Sequence, residues 1–229
     1  MRHPIIRISI ACLLAFLILV ISSIFLMTVS RQSNLFINFP FIEKTFLHTS
    51  MLFFSIMVIL ILGKGKMVGY GFIWSMDFPF IRIVLLSVML GFISSLVINL
   101  FFHTSVATPG ANFSFPEKIM YIWVWASICE EVLTRGLIMG FLAPLKHYGI
   151  KLSGIFISLP VIVAALFFGA MHLMLLSLGA SLFTVLNIVV FGIILGLIAG
   201  YYKERSNSLL PAVIVHICFN VGASFLAFV

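Results

Sequence analysis

Two adjacent carboxylates stand in the middle of an apolar stretch: Glu130 and Glu131, with Arg135 four residues after the second. A charge placed at depth in a bilayer costs about 2.5–3.5 kcal/mol on insertion scales, so an idle pair is not expected there. Glu131 and Arg135 share one helix face, where an acid followed by a base at i,i+4 neutralises both. Glu130 lies about 100° around the same helix, outside that pair, and must hold a proton or find another polar group. A carboxyl in that position is a general-base candidate. Two later apolar stretches carry further polar groups at the same spacing, Phe168 with His172 and His216 with Asn220. His216 and Asn220 on one face could aim two donors at one oxygen, as an oxyanion site requires. A carboxyl, an imidazole and two donors are sufficient for amide hydrolysis. A polar knot that only ties helices together is the plainer use of the same residues.

The elements that must position these groups follow from composition. The chain has 229 residues, 63% hydrophobic and 8% charged, with a mean hydropathy of +1.29, which excludes a soluble globular, a disordered or a fibrous protein. An all-α, polytopic transmembrane helical bundle of about seven spans is expected, since about 20 helical residues cross a bilayer. The apolar runs place the spans near 8–27, 47–62, 81–102, 119–142, 155 or 160 to 176, 182–202 and 209–228. The last four would hold the catalytic core, giving 1–116 as N-terminal helices and loops and 117–229 as the core of one integral membrane unit. If the fifth span enters near Pro160, Glu130 and His172 both lie about 18 Å deep, and His216 and Asn220 about 10–17 Å. The stretch from Asn34 to His48 reads as an external loop or interfacial segment. The first span follows Arg2 and Arg7 as a signal peptide would. Its apolar stretch exceeds the about 7–15 residues of such a segment and ends in no A-x-A site, so an uncleaved anchor is expected.

The net charge of +7 is spread between spans, forms no basic stripe and points to no nucleic acid. Arg2, Arg7, Lys64, Lys66, Arg82, Lys146, Lys151, Lys203 and Arg205 fall on the N-terminal side of the bilayer, and Arg31, Lys44 and Lys118 on the other. The positive-inside rule then puts the N-terminus in the cytoplasm and the C-terminus outside. Tyr121, Trp123 and Trp125, like Tyr201 and Tyr202, fit interfacial belts. Cys12, Cys129 and Cys218 lie in apolar runs and build neither a disulfide framework nor a metal knuckle. Gly192, Gly196 and Gly200 on the sixth span, and Gly136 and Gly140 on the fourth, form small-residue ridges for close helix packing, within one chain or between copies. The oligomeric state stays open on this reading.

Glu130-Glu131-x-x-x-Arg135, Phe168-x-x-x-His172 and His216-x-x-x-Asn220, in that order on successive spans, resemble the CAAX protease and bacteriocin-processing (CPBP) family, the Abi or type II CAAX prenyl endopeptidase group. The likeness covers roughly residues 119–225, and the first three spans add nothing to it. It implies a glutamate-dependent intramembrane protease whose site opens towards the cytoplasm. By that resemblance Glu130 and His172 activate a water, His216 and Asn220 stabilise the oxyanion, Glu131 and Arg135 support the site, and Phe168 shapes its substrate-binding wall. The substrate it implies is a membrane-associated protein or peptide, prenylated or leader-bearing. A short chain without large loops is more like the prokaryotic members of the group, which suggests a prokaryotic plasma membrane.

A glutamate and two histidines could also hold a zinc ion. No His precedes a Glu in an HExxH helix, so no metal or other cofactor is the favoured reading. An aspartyl dyad is excluded because Asp77 stands alone. A rhomboid-type serine element fails because Gly222-Ala223-Ser224 is followed by Phe225 and Leu226. A di-iron oxidase would need more histidines. The competing class is a proton-coupled transporter or channel, in which the same residues would relay protons. Such a path needs ionisable groups strung towards both surfaces, whereas these bunch on three C-terminal spans. A third reading is a catalytically inactive membrane scaffold.

Overall fold

A computed structural model of the chain describes residues 3–32, 40–102 and 113–225. Apolar runs with few breakers fold into helices α1 (Pro4–Gln32), α2 (Pro40–Leu62) and α3 (Phe80–Phe102), then α4, a continuous helical stretch over 115–142. After them come α5 (Leu159–Met171), α6 (Leu182–Ser206) and α7 (Leu210–Ser224). The protein is an all-α integral membrane bundle. Five of the helices are long and apolar enough to cross a membrane unaided by any break: α1, α2, α3, α5 with its extension to Leu178, and α6. Exposed Leu13, Phe16, Phe53, Leu85 and Met89 clad its outside, as a lipid-facing surface requires.

The boundaries differ from the hydropathy reading in instructive places. Residues 40–48 are helical, because Pro40 tolerates the first turn of α2; residues 34–39 lie outside the described part of the chain. The fifth span begins at Leu159. Ser158 caps it by accepting from the Val161 N–H, and Pro160 occupies its first turn, so the later of the two starts stands. Just before it, β1 (Gly149–Leu152) and β2 (Ile155–Ser158) pair antiparallel, Ile150 opposite Ile157 and Lys151 opposite Phe156. Ser153 and Gly154 join them with φ of 47° and 86°, the two positive values a type I′ turn needs. After Met171 the coil tightens to a 3₁₀ run, His172–Leu178. Residues 226–228 of the seventh expected span are outside the described part.

Small residues bring the helices together. A methyl on Gly196 of α6 would lie 2.9 Å from Ala165 of α5, and one on Gly200 3.0 Å from Val161, so this ridge packs within the chain. Backbones of α3 and α7 meet at Gly91 and Gly222, where a methyl would fall 2.0 Å from the Phe219 carbonyl and 2.1 Å from that of Val88. Gly140 of α4 receives the ring of Tyr70, from the loop after α2. That loop is tied to the α6–α7 turn by Leu209 N–H donating to Gly71 O (2.9 Å) and Ser208 Oγ donating to Ile73 O (2.5 Å). The Arg7 Nε donates to the Phe141 carbonyl at the same end of the bundle (2.7 Å). The basic loops therefore gather at one end.

Candidate active site

Helix α4 sets the centre of the site. Its turns are of the wide π type over Lys118–Ala126 and again over Val132–Ile138, with five α-helical residues, Ser127–Glu131, between. The glutamate doublet stands at the end of that α-helical island. Glu131 and Arg135 form the expected pair, Nη1 to Oε1 at 2.9 Å, with both side chains fully buried. Arg135 Nη1 also donates to Thr134 Oγ1 (2.6 Å), and its guanidinium lies 4.6 Å above the centre of the Phe168 ring. The same Glu131 Oε1 accepts from His216 Nδ1 at 3.0 Å. One carboxylate oxygen thus joins a guanidinium on α4 to an imidazole on α7.

Glu130 points elsewhere. Its side chain is 14% exposed, with Oε2 3.8 Å from His216 Nε2. Its Oε1 accepts from His48 Nε2 of α2 at 3.2 Å. His48 was not among the residues the motifs select. The signal that could have found it is its position: among the six histidines it alone lies inside an apolar run of the first three spans, and an ionisable group there is a functional pointer by itself.

Phe168 carries the remaining geometry. It is 1% exposed, so it faces no cleft; it is a wedge between the Arg135 guanidinium and two imidazoles. The His172 and His216 rings stand edge-on to it, with centroids 5.0 Å and 5.3 Å away. His172 closes α5, where Nδ1 donates to the Phe168 carbonyl at 2.8 Å. That bond leaves Nε2 as the basic nitrogen. Asn220 sits one turn beyond His216 on α7, but its amide nitrogen donates to Ser127 Oγ (3.0 Å) and to the Ile122 carbonyl (3.4 Å). In this structure His216 and Asn220 therefore share a helix face without aiming at one point. Among the described residues, no three His, Cys, Asp or Glu side chains are grouped as a metal ion would need.

The surroundings are strongly asymmetric along the helix axes. All seven residues of Val132–Ile138 are buried, and so are Ala164, Ala165, Leu195, Ala199, Ala212 and Val215 around them. No residue of Lys118–Ala126 and none of His172–Leu178 is buried. The densely packed part of the site, its floor, thus lies towards the basic loops, and the less buried part, its mouth, towards the other end. Tyr121, Trp123 and Trp125, expected as an interfacial belt, line the mouth and bind it together. Tyr121 stacks on Phe41 (5.1 Å), Trp123 Nε1 donates to Ser224 Oγ (3.0 Å), and Trp125 Nε1 donates to Thr49 Oγ1 (3.1 Å).

Residues 112–222 match the family model described as type II CAAX prenyl endopeptidase, Rce1-like. That stretch contains Glu130, Glu131, Arg135, Phe168, His172, His216 and Asn220 and excludes His48. No curated protein and no solved structure matches the chain.

Proposed function

Residues 112–222 carry the CAAX protease family domain, and from that premise we propose that the protein hydrolyses a peptide bond of a membrane-associated protein or peptide by glutamate-based water activation. The observation that carries this is Glu130: a carboxylate within a membrane helix, 14% exposed, with histidines at both of its oxygens. The 3.8 Å between Glu130 Oε2 and His216 Nε2 is too long for a hydrogen bond, which leaves Oε2 available to a water beside both groups. In the proposed reaction that water gives its proton to Glu130, helped by the free Nε2 of His172, and its oxygen adds to the scissile carbonyl. Asn220 then donates to the oxyanion after exchanging Ser127 for the substrate oxygen, and His216 does so through Nε2 in its doubly protonated form, with Nδ1 held by Glu131. Collapse of the tetrahedral intermediate breaks the C–N bond, and the proton held by Glu130 passes to the leaving amine.

Glu131, pinned by Arg135, fixes the Nδ1 side of His216 and so the direction of its Nε2. Phe168 shapes the site from beneath by spacing the two imidazoles. Residues 117–229 form the catalytic core in this reading, and no metal takes part. The apolar floor favours hydrolysis over a transmembrane proton relay, because a relay needs ionisable groups continuing past Arg135.

The test uses purified protein and a farnesylated peptide ending in a CAAX sequence. Glu130→Gln is expected to abolish cleavage while the variant elutes and melts as the wild type does. Undiminished turnover rejects the mechanism, and complete, metal-reversible loss of wild-type activity with a strong chelator rejects the metal-free scheme. The basic end is assigned to the cytoplasm of a prokaryotic cell, with the N-terminus inside, the C-terminus outside and the mouth facing outward. A cysteine at position 115 is then labelled by an impermeant maleimide in intact cells and one at position 64 is not; the reverse pattern inverts the assignment.

A further inference from the structure

We infer that His48 is a positioning residue for Glu130, so that α2, outside the family-matched stretch, completes the hydrolytic site. The inference rests on the reading of Glu130 proposed above. Each oxygen of Glu130 has its own histidine: Oε1 accepts from His48 Nε2 at 3.2 Å, and Oε2 faces His216 Nε2 at 3.8 Å. A carboxylate held at one oxygen by a donor cannot rotate about its last torsion, and its other oxygen stays directed at the water. Without that bond the carboxylate can turn away or pair with either imidazole.

The placement of His48 is over-determined by its helix. α2 and α4 run parallel and touch at a series of points that advance together along both. Phe41 stacks on Tyr121, Thr49 Oγ1 accepts from Trp125, and Ile59 lies against Gly136, where a methyl would be 3.5 Å from its Cδ1. His48 falls between the first and last of these, beside Thr49, and its partner is Glu130. Its side chain is 22% exposed, so it reaches the less buried side of the site without forming part of the floor. Burying a histidine against a carboxylate for packing alone is poorly motivated here, because the neighbouring contacts already dock the two helices.

The measurement is kcat and KM for the farnesylated CAAX peptide in the wild type, His48→Ala and His48→Gln, with elution and melting as fold controls. Gln places an amide nitrogen where Nε2 stands. The expected result is kcat down about 10–100-fold in His48→Ala, the scale of losing one hydrogen bond to a charged group. KM is unchanged, and His48→Gln regains most of the rate. Unchanged kcat in His48→Ala, or a loss that appears wholly in KM, overturns the inference.

A second readout needs no substrate. In protein carrying ¹⁵N-histidine, the His48 Nε2 signal is expected to move in Glu130→Gln and to stay in place in Asn220→Ala. A signal indifferent to Glu130→Gln overturns the inference even if the enzyme is active. Wild-type protein that leaves the peptide intact counts against the proposed substrate class, and the histidine signal then decides the role of His48 separately.

Discussion

Two stretches of α4 share one backbone geometry and live in opposite surroundings. Lys118–Ala126 and Val132–Ile138 are both π-helical, yet none of the first is buried and all of the second is. Wide turns of this kind are rare and concentrate at functional sites. In the floor, the stretch carries Arg135, roofed by Phe168 and given room by Gly196, where a methyl would stand 2.9 Å from Nη2. In the mouth, it sends Tyr121, Trp123 and Trp125 to α2 and α7 by one contact each. The same coil therefore serves to fix a charge on one side of the glutamates and to join α2 and α7 on the other. What distinguishes them is their neighbours: glycine and alanine ridges pack closely on the floor, and side-chain hydrogen bonds and one ring stack hold the less buried mouth.

If that contrast is right, the largest effects belong to the floor. Arg135→Leu leaves the fully buried Glu131 carboxylate with His216 in place of a guanidinium and an imidazole together, and removing one partner of a buried pair destabilises by about 3–5 kcal/mol. Thermal melting of the purified protein is expected to show a large drop in Tm. Adding Glu131→Gln removes the buried charge that has lost its guanidinium and is expected to recover part of it. A Tm like that of the wild type in Arg135→Leu breaks the distinction between floor and mouth.

The floor was the more legible half. Glu131 and Arg135 are one helical turn apart, so their pairing follows from spacing alone, and the ridge at Gly196 follows from its period. The seven helices follow from apolar runs. The π turns were hidden because hydropathy reports which residues are apolar, and not which carbonyl each N–H bonds. The hairpin at 149–158 was hidden because Ile150, Leu152, Ile155 and Phe156 extend the apolar run that precedes α5; only Ser153-Gly154 marks the turn. The link from His48 to Glu130 spans 82 residues and lies on no repeated motif, so pairing it needed the packing of α2 on α4. The exchange that commits Asn220 to Ser127 likewise depends on the rotation of α7 against α4, which spacing within α7 does not fix.

A middle-sized effect sharpens the account of the ridge. Gly196→Val brings a branched side chain against Ala165 and the Arg135 guanidinium, and overpacking of that kind costs about 1–3 kcal/mol. Gly69→Ala is the matched control, since nothing lies within 4 Å of its would-be methyl. Melting curves are expected to separate the two variants clearly. Equal curves would mean that the floor yields as readily as a surface loop.

The smallest effect on stability belongs to the mouth and is the most telling for the chemistry. Trp123→Phe keeps an aromatic ring facing Phe115 but removes the hydrogen bond to Ser224, worth about 0.5–1.5 kcal/mol. Ser224 Oγ also donates to the Asn220 carbonyl at 2.8 Å, so the indole steadies the turn of α7 that bears the proposed oxyanion donor. The expected signature is a Tm close to wild type with a kcat reduced by severalfold, read on the same farnesylated peptide. Because Ser224 keeps its own acceptor, no polar group is orphaned and the variant has no reason to unfold. A fall in Tm comparable to that of Arg135→Leu would show that the mouth is built as tightly as the floor, and water would then need another route to Glu130.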